Sequence, residues 1–266
     1  MILILDGHEV GTVAYLAGGQ PVGHNTEQSV GLSLSDIRRL SATEVEPFVV
    51  EVGGLRPVLG WIDSTLSRQY ADRTFELRQG REGQGLSRNA FKCSLAEITF
   101  PALDRRSAGD AFLKLKVQPE RVETRRTNVQ RRHSPPMLPL SSHTFRLSID
   151  GALDGHEVQR MEAFTIKVGL KKYYVGESRV AAFAPSNLAF PDFTIHLVPT
   201  QAQRLKSWHE ASQGTTSRKG RLELFSRGGT RAMTLELAEL DIVSLAGMNT
   251  ASAKVNIACG KITLGS

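Results

Sequence analysis

The sequence has 266 residues, 40% of them apolar and 23% charged, the composition of a soluble globular protein and the length of two ordinary domains. No apolar run approaches the ~18 residues of a membrane-spanning helix, and the apolar opening Met1–Leu5, without a basic leader, reads as a strand rather than a signal peptide. The net charge of +6 is modest, and the two cysteines, Cys93 and Cys259, fall in apolar columns of separate strands, which predicts buried thiols and assembly in a reducing compartment.

Residues 1–10 predict a short strand ending in an Asp6-Gly7 turn. A polar, Gly-rich stretch runs from Gly11 to Asn25, and Val30–Leu40 fits either a loop or a short helix. Phe48–Val52 is a strand stopped by Gly53-Gly54. Pro57–Leu66 predicts a short helix, with Leu59, Ile62 and Leu66 on one face and Trp61 beside Ile62. A hairpin follows: Phe75–Arg78, a Gly-rich turn, and a return strand on which Phe91, Cys93 and Leu95 alternate. The apolar phase slips at Ala96-Glu97 and resumes at Ile98 and Phe100, the pattern of a β-bulge. Pro101–Gly109 is expected as loop and Asp110–Val117 as the closing strand. Between Gln118 and His143 the alternation stops. Five arginines (Arg121, Arg125, Arg126, Arg131, Arg132) and then Pro135, Pro136 and Pro139 place a domain linker at 123–143. Beyond it, Thr144–Asp150 is a strand, Met161–Tyr174 one side of a long hairpin, and Leu188–Leu197 a strand. Gln203–Ser212 is a short helix carrying Trp208, and the last hairpin and a closing strand, Ala253–Leu264, finish the chain.

The two halves repeat one another. Thr74–Val122 has a second copy in Arg221–Leu264, where Met233, Leu235 and Leu237 alternate and the phase slips at Ala238-Glu239. Matching Leu95-Ala96-Glu97-Ile98 to Leu237-Ala238-Glu239-Leu240 gives an offset of 142, and the same offset carries Leu113, Leu115 and Val117 onto Val255, Ile257 and Cys259. Glu76 and Glu223, like Trp61 and Trp208, differ by 147, which makes the first hairpin about five residues longer. Leu5–Val10 recurs identically as Leu153–Val158, offset 148. The expected fold class is mainly β: two tandem antiparallel sandwich or barrel domains (1–122 and 144–266), each with one short helix.

Chemistry is sparse. The repeated Asp6-Gly7-His8-Glu9 and Asp154-Gly155-His156-Glu157 lack third and fourth metal ligands at fixed spacing and read as turns. His209-Glu210 has no counterpart in the other copy, where Ile62-Asp63 stands, and no Ser or Cys has a matched His and acid. Trp61 and Trp208 read as core anchors, with a subunit interface as the alternative. The arginine cluster could hold phosphate, but no aromatic is interleaved with it, and a solvated linker accounts for it. No catalytic, cofactor-binding or metal-binding residues are therefore expected. A nucleic-acid-binding β-barrel using the basic linker is the alternative reading.

The second copy resembles the tail-tube proteins of contractile phage tails and related injection systems. The residues that carry the resemblance are Phe145–Gly151, Ser186-Asn187-Leu188, Leu205–Glu210 on the helix, Gly220–Leu224 in the hairpin, and Met248–Val255 leading into the last strand. The first copy joins through its alignment to the second and departs at a shortened first strand and at Gly11–Leu40, where the family has a long hairpin that stacks rings. The resemblance implies an antiparallel sandwich with one helix, six of which join edge to edge into a ring around a continuous β-barrel lumen. It carries no catalytic residues. It implies a structural, non-enzymatic role in a virion or injection particle assembled in the bacterial cytoplasm. The partners would be a homotrimer of pseudo-sixfold symmetry, tube, spike or other baseplate proteins, and DNA or cargo in the lumen. Between tube subunit and baseplate hub or tube initiator, the difference between copies at Gly11–Leu40 and Met161–Phe183 favours the hub or initiator.

Overall fold

A computed structural model describes residues 1–28, 37–53, 56–81, 84–128, 139–176, 178, 180–211, 217–247 and 252–265. The first half contains β1 (Ile2–Leu5), β2 (His8–Thr12), β3 (Tyr15–Ala17), β4 (Pro21–Gln28), β5 (Ile37–Val45), β6 (Phe48–Val52) and α1 (Arg56–Leu66). It continues with β7 (Arg73–Arg81), β8 (Gln84–Phe100), β9 (Leu103–Asp104), β10 (Asp110–Ala111), β11 (Leu113–Gln118) and β12 (Arg121–Thr127). The second half contains β13 (Leu140–Ile149), β14 (Leu153–Gly155), β15 (Val158–Met161), β16 (Phe164–Tyr173), β17 (Ala182–Ala189) and β18 (Phe193–Leu197). It ends with α2 (Pro199–Ala211), β19 (Arg218–Ser226), β20 (Arg231–Ala246) and β21 (Ala253–Gly265). The fold is mainly β, the strands pair antiparallel, and one of the two large sheets curls into a nearly closed barrel.

The sheets share one strand order. The first runs β1-β7-β8-β11-β6-β3 and the second β13-β19-β20-β21-β18-β15. In each, alternate side chains point inward: Phe48, Val50 and Val52 are buried on β6, and Phe193, Ile195 and Leu197 on β18. The helix falls between the equivalent strands in both halves and buries its tryptophan, Trp61 or Trp208. One contiguous apolar core runs through both halves.

The register of the duplication differs from the offset of 142. β8 carries two bulges, one against β7 at Lys92, whose φ is +49°, and one against β11 at Ala96. β20 carries three, at Ala232 and at Glu239, whose φ is +56°, against β19, and at Val243 against β21; the last two correspond to those of β8. Lys92 therefore matches Glu239 and Ala96 matches Val243, an offset of 147 along the whole strand. Glu97 does not match Glu239. The 142 offset lays the second slip of one strand on the first slip of the other, and no five-residue difference in hairpin length follows. By the same pairing Leu113, Leu115 and Val117 match Ala253, Val255 and Ile257.

The identical hexapeptides are not equivalent either. Asp6-Gly7, with φ of +50° and +79°, makes the β1–β2 turn. Its counterpart is Asp150-Gly151, because Leu5 pairs with Phe75 as Ile149 pairs with Gly220. Asp154 and Gly155 lie in strand β14 instead of a turn. An arginine repeats the arrangement: Arg73 Nη1 donates to Asp6 at 2.6 Å, and Arg218 Nη1 donates to the Asp150 carbonyl at 2.6 Å.

Further differences are local. Gly11–Leu40 contains a hairpin, β4 on β5, with Pro21 opposite Val45; most of Val30–Leu40 lies outside the described residues. The expected strand Leu188–Leu197 breaks into the end of β17 and β18. The linker of 123–143 is in part strand, because β12 pairs with β8 from Arg121 opposite Phe91 to Thr127 opposite Gly85, and β13 begins at Leu140.

Candidate functional site

The most informative site is the junction between the halves, where each lends strand to the other. β8 is 17 residues long and changes neighbours partway. Its first part lies between β7 and β12, its last part between β11 and β16 of the second half. β16 enters the edge that β7 vacates, with Phe164 opposite Phe100 and Lys167 opposite Glu97. The Phe100 and Phe164 rings stack at 4.8 Å, and the Thr99 and Thr165 hydroxyls hydrogen-bond at 2.8 Å. Ile98 and Ile166 are fully buried beneath them. An unpaired edge would leave peptide groups to seek another chain; here the second half closes it.

The first half returns strand in exchange. Leu103–Asp104 pairs with β15 and Asp110–Ala111 with β13, so the segment expected as loop, together with the first two residues of the expected closing strand Asp110–Val117, bridges the two edge strands of the second sheet, and only β11 closes the first. Arg105 fills that seam. Its Nε donates to the Val158 carbonyl at 2.7 Å and its Nη2 to those of Phe145 at 2.8 Å and Gly155 at 3.3 Å, with the guanidinium 4.8 Å from the Phe145 ring centre. Burial, and then the charge of Arg146, lower its pKa. Sequence patterning misses Arg105, since an arginine after Leu-Asp in a proline-led segment looks like any surface arginine.

Helix α1 adds a third contact. Leu59, Gly60 and Asp63 face Arg231–Thr234 and Leu264-Gly265 across a 490 Å³ cleft, which sets α1 beside the outer edge of β21. α1 buries Val58, Trp61, Ile62, Thr65 and Leu66, one broad face, whereas on α2 Ala202, Leu205 and Trp208 form a narrower buried stripe and the neighbouring His209 is exposed.

The residues singled out from sequence are dispersed. His8 is exposed on β2 and His156 exposed between β14 and β15. Asp6 is held by Arg73, and Glu157 accepts from the Asp154 amide at 2.8 Å. Glu210 pairs along the exposed face of α2 with Lys206 at 3.6 Å. No group of three or more His, Cys, Asp or Glu among the described residues could hold a metal ion. Burial pushes the Cys93 thiol up to about 12 and the Cys259 thiol up to about 11, so at neutral pH neither offers a thiolate.

Of the five clustered arginines, Arg121, Arg125 and Arg126 lie on β12, while Arg131 and Arg132 fall outside the described residues. Arg121 and Arg125 share Glu123, and Arg121 covers the Phe91 ring at 4.6 Å. That ring is the aromatic neighbour which sequence spacing does not place there. Among the described residues no helix is long and apolar enough to cross a membrane. No protein-family model and no curated protein matches this chain.

What the site can do follows from its asymmetry. If the two halves met by a twofold, each hairpin would join the other half's long strand. Among the described residues only β16–β17 does so. β4–β5 forms a separate two-stranded sheet, linked to Val180 by a bridge at Thr43. Among the described residues no strand pairs with β20 beyond Leu240 on its β19 side. The junction is heterologous, and a heterologous contact between equivalent units leaves a donor at one end and an acceptor at the other.

Proposed function

We propose that this protein is a structural subunit that assembles head to tail into a closed ring around a central channel, acting in a phage tail or contractile injection system as a baseplate hub, tube initiator or tube subunit. The observation that supports this reading is the one-way junction: the second half's hairpin extends the first half's sheet, while the first half's own hairpin and β20's outer edge have no such partner among the described residues. Repetition of that contact either closes or runs on as a filament. The resemblance to tail-tube proteins supplies the number. Six units close a ring there, and a chain with two units reaches six with three copies. Such a trimer has threefold symmetry and looks nearly sixfold, which suits a part placed between a threefold spike and a sixfold tube.

Electron microscopy of the purified protein at high concentration, or of the native particle, tests it. Rings of three chains are expected. Rings of six chains in one layer, or a protein monomeric within its particle, would overturn the reading.

A further inference from the structure

The internal junction is a template for the contact between chains. β4 matches β16 at an offset of 145, because Tyr15 pairs with Glu51 as Arg160 pairs with His196, and Pro21 faces Val45 in register with that match. β20 matches β8 at 147. Carrying the pairing of Lys167 with Glu97 through both offsets sets Val22 opposite Ser244 and Pro21 opposite Leu245.

We propose that the β4–β5 hairpin of a second copy of this chain adds to the outer edge of β20 along Val243–Ala246, while α2 of the first copy covers the outer edge of β12 of the second.

Three observations bear on this beyond the strand equivalence. Val243 is 51% exposed and Val22 38% exposed, apolar side chains left in water at the two surfaces that would meet. α2 presents an exposed flank where α1 buries Ile62. In that flank Glu210 stands where Asp63 stands on α1, with the helices matched through Val58 to Leu205 and Trp61 to Trp208. Asp63 faces Gly265, whose counterpart on β12 is Arg125, so the contact between chains brings a carboxylate to a guanidinium. Pro21 stands where Ile166 does and has no N–H, so the ladder between chains lacks one donor and is weaker there than the internal one.

This inference rests on the ring reading, and the test separates the two. Val22→Cys with Ser244→Cys sets two thiols on directly opposed strand positions, at a Cα separation of about 4.5–5.5 Å that a disulfide spans. Glu97→Cys with Lys167→Cys is the internal control at the same geometry. After mild oxidation, the first pair is expected to give two- and three-chain species on a non-reducing gel, each single variant one chain, and the control an internal crosslink. Amide exchange at Val243–Ala246 is expected to slow on assembly. Three-chain particles in which Val22→Cys/Ser244→Cys stays single-chain and these amides exchange unchanged would overturn this interface and leave the ring standing. A protein monomeric at every concentration would overturn both.

Discussion

Lys92 and Glu239 hold φ near +50°, a region costly for residues other than glycine, asparagine and aspartate. Both sit at the first bulge of the long strand, and each is compensated differently. Lys92 pairs with Glu120 at 3.5 Å, whereas Glu239 lies flat across Gly260, where a Cβ would come within 2.8 Å of the Glu239 Cβ. The equivalence explains why the register read from sequence misleads: a slip of the apolar phase shows that a bulge exists, but two bulges close together on one strand leave the same pattern in burial, and similar letters then align the wrong ones. Gly260→Ala is expected to destabilise the protein by about 1–3 kcal/mol by overpacking, read as a lower urea midpoint at unchanged slope. Pairing it with Glu239→Gly is expected to recover most of that loss, and failure to recover it would show that the cost arises elsewhere.

Among the elements, those with a buried alternating face are legible in the sequence and those without are not. β6 and β21 are read correctly from residues such as Val50 and Val255, β11 and β18 are found through Leu113, Leu115 and Ile195 but each fused to a neighbouring strand, and α1 begins one residue before its expected start at Pro57. β4 is Pro-Val-Gly-His-Asn-Thr-Glu-Gln, with no apolar face to betray it, and β12 is so rich in arginine and threonine that it passes for linker. Both are strands because of what lies beside them, β5 and β8, which periodicity cannot report. β16 is visible in the sequence, but its partner is not, since Phe164 and Ile166 fit any buried edge. Phe164→Ala removes a ring stacked on Phe100 at 4.8 Å and near Phe193 at 6.2 Å. It is expected to cost about 3–5 kcal/mol in denaturant unfolding. A loss below about 1 kcal/mol would mean that the second half's hairpin does not bear on the first half's core.

For the molecule as a whole, the exchange of strands decides whether the halves are separate folding units. The first sheet is completed along β8 by β16, and the second is bridged by β9 and β10, with Arg105 satisfying three carbonyls of the second half. A fragment ending at 128 lacks the strand that covers Ile98 and Phe100, and one beginning at 139 lacks the segment that seals its barrel. Each would expose a sheet edge with apolar side chains behind it, a template for aggregation. The contiguous core and the crossed strands therefore predict one cooperative transition for the dilute full chain, with calorimetric and van't Hoff enthalpies equal. Fragments 1–128 and 139–266 are expected to be insoluble or unfolded when expressed apart and to form a soluble one-to-one complex when expressed together. Two resolved transitions, with 139–266 folding alone at native-like secondary structure, would show that the lent strands are ornaments on two independent domains. In that case the junction would no longer serve as a guide to how one chain meets the next.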